Sequence, residues 1–502
     1  MKHLREFFIC LFFCWSAAAF SQLPATFEPG RIDSSTGNIV GTSSNVRWAV
    51  PISSPTYAAP VIADGKVLIG TLNHEVWDYR RPGSRSVLLC FDDKTGKFLW
   101  QVSLPKDYGI SSMFDAYCVG ISSTPTVVGS RAYFTSGRGE VFCLDMNGLT
   151  DGNDGPYTDE AQLYTHRRDS NVLPLEKTDA DIIWRYDMFG ELNSMPHDTN
   201  NCNIIYHDGL LIINTGNAPD VTHVRVLHPE APSLIIMDAE KGIPLARDNF
   251  DIGSDISHGQ WCSPAFGKVN GRNMIFYGGG NGCLYAVEAP SREALLKQFE
   301  TNKRQPVRLE TVWKFQGDPR AHQSGGVVPP FVMGMNSPSY TSLPPPLFDS
   351  EGRVFMLFGH DAWNGARPFR SWLTCIDAKA GKLLWGTGNI DGGAIAPLVM
   401  ENGLLYMADR QGNFSCFDTA TGKVHWKLRL NGEIWARPLI ADGKIYVGTD
   451  RRMFYVLKSG LKPQIISEIR MPNRIYAPAA AAGNTLYVAG DGFLYAVEGK
   501  SE

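Results

Sequence analysis

Two short segments of this chain carry side chains of the kinds that bind metal ions. MPHDTNNCNII places His197 six residues before Asn203, and SHGQWCSP places His258 six residues before Pro264. Imidazole nitrogens and thiolates are the ligands that zinc and related transition metals take. The segments therefore give a candidate metal site whose ligands would be His197, Cys202, His258 and Cys262, with Cys118 as a further thiol in a corresponding position.

The same segments also predict a binding pocket. Polar and aromatic side chains surround the two histidines, and the segments HDAWNG and EIWARP add rings for stacking and an arginine that could pair with an anion. The candidate ligand-binding residues are His197, Asp198, Asn201, His258, Gln260, Trp261, His360, Asp361, Trp363, Trp435 and Arg437. The alternative is that these side chains satisfy exposed backbone groups or pack in the fold.

A third segment, DGNDGPYTDE, is dense in the oxygen ligands that Ca²⁺ prefers. Its candidate ligands are Asp151, Asn153, Asp154 and Asp159. The EF-hand template fails, because Thr150 or Pro156 stands where that loop requires glycine. A solvated acidic turn is the competing interpretation.

Motifs for other chemistries are missing from the sequence. It contains no G-x-S-x-G, no H-E-x-x-H and no phosphate loop G-x-x-x-x-G-K-[ST]. A polysaccharide-acting hydrolase or lyase stays a hypothesis that rests on fold-level analogy and on the aromatic residues.

The element that must position these residues is a repeat. CFDDKTGKFLW (Cys90–Trp100) recurs as CIDAKAGKLLW (Cys375–Trp385) and as CFDTATGKVHW (Cys416–Trp426). The last two copies start 41 residues apart, which is the length of one four-stranded propeller blade. We expect Asp and Gly to form a tight turn and Trp to pack between blades. The cysteines in this slot, among them Cys143, are expected to be small buried residues rather than halves of disulfides.

Counting the units gives an all-β, eight-bladed propeller. Blade openings of the form "x-Pro, turn, strand" begin at Ala59, Thr124, Ser263, Pro345, Arg437 and Ala477, with a degenerate opening at Cys202 and a further unit at Gly392. Outer strands are marked by Trp100, Trp184, Trp313, Trp385 and Trp426, and weaker ones run near Pro244–Asn249 and Ile465–Ile469. These are seven outer strands for eight openings. The eighth outer strand is VRWAVPI, which precedes the first opening, so we expect the N-terminal segment to close the ring.

This repeat resembles the PQQ-binding-like, quinoprotein-type β-propeller repeat. The resemblance rests on LYVAGDGFLYAVE, on NGCLYAVEA and on the three eleven-residue segments, and it covers residues 44–499. It implies similarity to PQQ-dependent alcohol dehydrogenases and to the non-enzymatic outer-membrane assembly factor BamB. PQQ with calcium is the cofactor that the enzymes of this type would imply. However, the chain has no two adjacent cysteines and no C-x-x-C-H motif, so no catalytic role is carried over to its residues.

Composition and the first residues predict an exported protein. Residues 1–21 have the pattern of a signal peptide, with Lys2 and Arg5 before an apolar run and small residues, followed by an N-terminal extension over 22–43 and the propeller over 44–499. No later apolar run reaches the length of a membrane span. The net charge of −4 and the lack of a basic run argue against nucleic acid as a partner. We expect a periplasmic or secreted monomer.

Three functional hypotheses follow. The first is a non-catalytic propeller that binds a protein or a carbohydrate on the face that carries its long loops, because rigid blades commonly present binding loops in this way. The second is a PQQ- or metal-dependent oxidoreductase with a diverged site. The third is the hydrolase or lyase.

Overall fold

The computed structural model describes residues 22–499 except 107–118, 167–168, 170, 221, 223, 257, 324–325, 328–339, 361–369, 389 and 394. The predicted signal peptide (1–21), Cys118, Asp361 and Trp363 lie outside the described residues. None of the helices within the described ranges has the length and apolar character needed to cross a membrane.

The predicted eight-bladed propeller is confirmed: eight antiparallel sheets follow one another along the chain. The strands of blades 1 to 4, from the innermost outwards, are Val61–Ala63, Lys66–Leu72, Arg85–Asp92 and Phe98–Pro105; Thr126–Val128, Arg131–Thr135, Glu140–Asp145 and Ile182–Asp187; Ile205–His207, Leu210–Asn214, Leu234–Asp238 and Pro244–Arg247; Ala265–Val269, Arg272–Gly278, Cys283–Glu288 and Thr311–Gln316. Those of blades 5 to 8 are Leu347–Phe348, Arg353–His360, Arg370–Asp377 and Leu383–Gly386; Val399–Glu401, Leu404–Ala408, Asn413–Asp418 and Val424–Arg429; Leu439–Ala441, Lys444–Gly448, Met453–Lys458 and Ile465–Arg470; Ala480–Ala482, Thr485–Gly490, Phe493–Glu498 and Val46–Pro51.

Closure of the ring by an N-terminal strand is also confirmed. Val46–Pro51 pairs antiparallel with Phe493–Glu498, with Trp48 opposite Ala496 and Pro51 opposite Phe493. The N-terminal extension adds a hairpin of Arg31–Ile32 and Ile39–Val40.

Short elements decorate the blades. Val307–Arg308 runs parallel to the outer strand of blade 3, while Tyr340–Thr341 and Ile390–Asp391 extend blade 5. The α-helices are Glu160–Leu163, Met188–Leu192 and Arg292–Thr301, and 3₁₀ turns occupy Gly148–Thr150, Gly253–Asp255 and Pro319–His322. The longest helix begins at Ser291, whose side chain accepts a hydrogen bond from the amide of Ala294 as an N-cap.

The recurring tryptophan and glycine of the repeat join one blade to the next. Trp385 of blade 5 donates a hydrogen bond from Nε1 to the Thr419 carbonyl of blade 6 (3.0 Å), and its ring lies over Gly422, where an added Cβ would come 2.5 Å from the ring. The equivalent tryptophan–glycine pairs are Trp48–Gly96, Trp100–Gly148, Trp184–Gly242 and Trp313–Gly381. Each of these glycines has a positive φ, so the turn needs glycine both for its backbone and for the ring above it. The repeat is therefore a structural joint, as the sequence predicts.

Three blade junctions lack this pair. Between blades 6 and 7, Trp426 still donates from Nε1 to the Gly460 carbonyl (2.9 Å), but an added Cβ at Gly460 would meet nothing within 4 Å. Between blades 7 and 8, Leu23 and Phe27 of the N-terminal extension are buried, and the Phe27 ring lies 6.2 Å from that of Phe454. Between blades 3 and 4, Leu295 and Phe299 of the longest helix enter the shared core. The extension is thus packed into the propeller.

Candidate functional site

One residue position in each blade defines the mouth of the central channel. It lies four residues before the innermost strand, and we call its eight members the first ring: Tyr57, Ser122, Asn201, Trp261, Leu343, Ile395, Trp435 and Tyr476. A second residue position lies two residues before the innermost strand of each blade. Its eight residues form the second ring: Ala59, Thr124, Asn203, Ser263, Pro345, Pro397, Arg437 and Pro478. Every member of both rings lines a single cavity of about 840 Å³. That volume is within the range of about 300–1,000 Å³ that is usual for ligand pockets.

Alternation along these approach segments explains which side chains reach the cavity. Between the two rings, each blade has one buried residue: Ala58, Ser123, Cys202, Cys262, Pro344, Ala396, Ala436 or Ala477. In an extended segment, successive side chains point to opposite sides. Ring residues therefore face the channel, and the residue between them faces the blades and is small.

Four consecutive blades are tied together by hydrogen bonds within the second ring. The amide of Ala59 donates to Thr124 Oγ1 (3.0 Å), the amide of Thr124 donates to Asn203 Oδ1 (2.8 Å), and the amide of Asn203 donates to Ser263 Oγ (3.0 Å). These side chains satisfy backbone donors that no strand reaches. Half of the channel mouth is thereby fixed in position.

Aromatic side chains of the first ring cover the wall formed by blades 7, 8 and 1. The ring centroids of Trp435 and Tyr476 are 5.5 Å apart, as are those of Tyr476 and Tyr57. Two neighbouring side chains fix the orientation of the Trp435 ring. Its Nε1 donates a hydrogen bond to Glu433 Oε2 (2.9 Å), and the guanidinium of Arg410 lies 4.7 Å from the ring centroid. We call Tyr57, Trp435 and Tyr476 the aromatic arc.

Arg437 is the charged member of the second ring. Its side chain is accessible to water within the channel, but the channel walls surround it, and this desolvation lowers its pKa. Within the described parts of the chain, Arg437 has no carboxylate and no hydrogen-bond partner. It therefore adds an unpaired positive charge to the cavity, beside the aromatic arc.

The two candidate histidines meet at the opposite wall, between blades 3 and 4. The ring centroids of His197 and His258 are 4.6 Å apart, and His197 Nε2 lies 3.5 Å from Asp198 Oδ1. One ligand atom from each of these three residues lies within 4.8 Å of the others. Trp261 packs against both histidines and donates from Nε1 to the carbonyl of His197 (3.2 Å).

The cysteines that were predicted as possible ligands do not join this group. Cys202 Sγ accepts a hydrogen bond from the amide of Asn214 (3.1 Å), and Cys262 Sγ donates to the carbonyl of Pro344 (3.3 Å). Both occupy the buried position between the rings, so their side chains point away from the channel. Burial raises the pKa of the Cys202 thiol to about 12 and that of Cys262 further still. The candidate metal-binding group has Asp198 in place of the predicted thiolates.

The other predicted pocket residues divide into two sets. Asp198, Asn201, His258, Trp261, Trp435 and Arg437 line the cavity. Gln260 is buried and structural, since its amide donates to the Asn217 carbonyl and its Oε1 accepts from Tyr277 and from the amide of Gly280. His360 ends the second strand of blade 5 with its ring 4.8 Å from that of Tyr340, and it is not among the residues that line the cavity.

The predicted calcium loop forms an exposed turn held by its own hydrogen bonds. Asp151 Oδ2 accepts from the amide of the Asn147 side chain (2.9 Å), and the Asn153 side chain donates to Glu160 Oε2 (3.2 Å). The amide nitrogen of Asn153 makes this bond and its Oδ1 is a separate atom, so calcium binding by this loop stays a prediction. Among the described residues, His197, Asp198 and His258 are the one group of three or more His, Cys, Asp or Glu side chains that could hold a metal.

Sequence reasoning missed Tyr57, Tyr476 and the hydrogen-bonded residues Thr124, Asn203 and Ser263. These residues are found by counting back from the first residue of the innermost strand, not from the proline of the blade opening. Leu439 begins the innermost strand of blade 7 and Ala480 begins that of blade 8. Each of them lies opposite a tyrosine of the second strand, Tyr446 and Tyr487.

Comparison with known proteins confirms the type of propeller. The family model described as "Outer membrane protein assembly factor BamB" matches residues 84–225 and 370–461. The lanthanide-dependent methanol dehydrogenase of Methylacidiphilum fumariolicum (strain SolV) is 27% identical over 140 residues, which are 27% of this chain and 21% of that enzyme. The chain therefore matches about a fifth of the length of this curated relative.

A solved structure shows the same architecture. BamB from Moraxella catarrhalis superposes with a TM-score of 0.51 at 12% identity, covering 90% of this chain and 99% of that one. At this identity the likeness concerns the fold alone. The chain is an eight-bladed propeller with PQQ-binding-like repeats, distantly similar to BamB and to PQQ-dependent alcohol dehydrogenases.

Proposed function

We propose that this protein is an exported, non-catalytic propeller that binds an acidic segment of a protein partner in the mouth of its channel. The observation that carries the proposal is the aromatic arc beside the unpaired Arg437, with all of these residues facing one cavity of about 840 Å³. The match of residues 84–225 and 370–461 to a family model described as an outer membrane protein assembly factor is consistent with a protein partner.

The chemistry of the arc favours a protein ligand. Tyrosine, tryptophan and arginine are the residues that most often dominate binding at protein interfaces, since each buries a large area and keeps a polar group. Trp435 is already oriented by Glu433 and Arg410, so little side-chain freedom is lost on binding.

Arg437 favours a ligand that carries a carboxylate. Arg437 is open to the water of the channel and has no carboxylate partner among the described residues, so an incoming carboxylate could form charge-assisted hydrogen bonds with it. An aspartate, a glutamate or a terminal carboxylate next to an aromatic or aliphatic side chain would match both Arg437 and the arc.

The residues of the channel do not fit PQQ. PQQ is a polycarboxylate, and Arg437 is the single permanent cation among the described residues that line the cavity. In addition, no two cysteines of the chain are adjacent in sequence. We therefore derive no reaction step through this cofactor.

Selection from a random peptide library tests the proposal. Immobilised wild-type protein should enrich peptides with acidic and aromatic residues, and Arg437→Gln should weaken their binding by about tenfold or more, as expected for loss of a charge-assisted contact of 1.5–3 kcal/mol. Arg429→Gln is the matched control, because Arg429 is exposed on the outer strand of blade 6, away from the channel. Peptides that bind Arg437→Gln as well as wild type would refute the proposed site.

A glycan array separates the carbohydrate alternative from the protein ligand. Binding of neutral sugars that persists in Arg437→Gln but is lost in Trp435→Ala would replace the protein partner with a carbohydrate.

Export and the monomeric state are part of the proposal. N-terminal sequencing of the protein after expression with residues 1–21 should show cleavage, and light scattering should give the mass of one chain.

A further inference from the structure

We propose that His197, Asp198 and His258 bind a first-row divalent cation, with Zn²⁺ as the best match, at the channel wall between blades 3 and 4. The site is distinct from Arg437, which lies on blade 7 at the opposite wall. The proposal does not depend on the identity of the partner.

The hydrogen bonds of His197 fix the nitrogen that is available to a metal. His197 Nδ1 lies 2.7 Å from the carbonyl of Pro219. A carbonyl can only accept, so Nδ1 carries a proton and donates it, and Nε2 is the nitrogen that would bind a metal in its deprotonated form. Histidine ligands of metals usually have this arrangement, with the second ring nitrogen donating to a carbonyl or a carboxylate.

Nε2 of His197 lies close to the carboxylate that would share the ion. His197 Nε2 and Asp198 Oδ1 are 3.5 Å apart. Two ligand atoms on a tetrahedral zinc ion are separated by about 3.4 Å when each bond is about 2.0–2.1 Å long. The remaining ligand atom, from His258, is within 4.8 Å of both.

Surrounding contacts hold these residues in place without a metal. The side chains of His197 and His258 are 1% and 4% exposed. Asp198 has a left-handed backbone (φ +61°), an uncommon conformation for a residue other than glycine, and its Oδ1 lies 3.5 Å from His197 Nε2. Trp261 packs across the two imidazole rings at centroid distances of 6.3 and 5.1 Å.

The ligand set selects the class of ion. Ca²⁺ and Mg²⁺ take oxygen ligands, whereas two imidazoles and one carboxylate suit Zn²⁺ and its first-row neighbours. Three protein ligands leave at least one position of a tetrahedral ion for water or for a ligand. Asp198 and His258 line the cavity, so this position would face the channel. Asn201 Oδ1 is buried near the same wall and accepts no hydrogen bond from the described residues, so it could accept one from a bound water.

The experiment uses the full chain after treatment with a chelator. Co²⁺ is titrated while visible ligand-field absorption is followed, and Zn²⁺ binding is measured by calorimetry. His258→Gln and Asp198→Asn remove one ligand each with little change in volume. His207→Gln is the matched control, because His207 lines the same cavity but is not part of the group.

We expect one Zn²⁺ per chain in wild type and in His207→Gln. The affinity should fall more than about 100-fold in His258→Gln, beyond the 10–100-fold that loss of an outer contact costs. Absence of Co²⁺ absorption and of Zn²⁺ heat in wild type would overturn the proposal, as would a loss of affinity in His207→Gln that His258→Gln does not show. If His258→Gln fails to fold, as judged by circular dichroism, Asp198→Asn decides: unchanged affinity in that variant also overturns the site. Arg437→Gln should bind Zn²⁺ as wild type does. The zinc site and the peptide-binding site can therefore be refuted independently of each other.

Discussion

Gly422→Ala tests whether the joint between tryptophan and glycine stabilises the ring of blades. Gly422 has φ +70°, and a Cβ added there would lie 2.5 Å from Cε3 of Trp385 in the preceding blade. Gly443 offers a matched control, because it has φ +63° and an added Cβ would meet nothing within 4 Å. The two substitutions share the backbone cost and differ in the contact with the ring.

The expected losses follow from these two terms. Alanine in a left-handed conformation costs about 1–2 kcal/mol, and this cost applies at both positions. Forcing an extra methyl group against a packed ring adds about 1–3 kcal/mol at Gly422 alone. A cooperative unit of this size has an unfolding entropy of about 1 kcal/mol/K, so each kcal/mol lowers Tm by about 1 °C. Gly443→Ala should therefore lose about 1–2 °C, and Gly422→Ala about 2–5 °C.

Differential scanning calorimetry of both variants gives the comparison, and Trp385→Leu completes a double-mutant cycle. In the Gly422→Ala background, replacement of Trp385 should cost less than it does in wild type, because the steric conflict has already displaced the ring. Equal losses at Gly422 and Gly443, or additive losses of Gly422→Ala and Trp385→Leu, would show that the ring and the glycine do not act together.

Three further predictions concern the hydrogen bonds of the second ring, the thiols of Cys202 and Cys416, and the buried carboxylate of Glu140. Thr124→Val removes the acceptor for the amide of Ala59 and should cost about 0.5–1.5 kcal/mol, together with faster hydrogen exchange at Ala59; unchanged exchange there would contradict the bond. Since burial raises the pKa of the Cys202 thiol to about 12 and that of Cys416 to about 11, alkylation of the native protein at pH 8 followed by peptide mass spectrometry should leave both unmodified, whereas rapid modification of Cys202 would contradict its burial. Burial opposes the ionisation of Glu140, but Arg138 and Arg185 outweigh it and lower its pKa from 4.5 to about 2. Stability from this carboxylate is complete above pH 4.5 and is lost as pH falls towards about 2, so Tm of Glu140→Gln should vary less steeply over this interval than Tm of wild type, and parallel curves would show that the carboxylate is not responsible.

The blades were predictable from sequence because each one repeats local signals. Turn glycines, branched residues and often an outer tryptophan recur in the same order in successive units, and they depend only on contacts within a blade or with the next one. The outer strand around Trp48 could be assigned because blade 8 otherwise lacks one. Junctions without the tryptophan–glycine pair gave no such signal, and the role of Phe27 there became visible only in the structure.

The channel was predictable only in part. The sequence placed Trp435 and Arg437 at the mouth, and both line the cavity. It aligned Asn203 with Pro264, whereas the hydrogen bond from the Asn203 amide to Ser263 Oγ shows that Asn203 corresponds to Ser263. A shift of one residue moves a side chain from the channel to the blade interior, because side chains alternate. Cys202 and Cys262 are near the histidines in sequence, which makes them candidate ligands, but this alternation turns their side chains towards the core.

Blade 8 is assembled from two segments that are made at different times. Its outer strand, Val46–Pro51, precedes blade 1, while its other strands follow blade 7. During synthesis the ring of blades therefore has to remain open, with Val46–Pro51 unpaired, until Phe493–Glu498 has been made. A single late pairing over such a long loop is slow to form, so the nascent chain passes through a period in which a holding chaperone would be of most use.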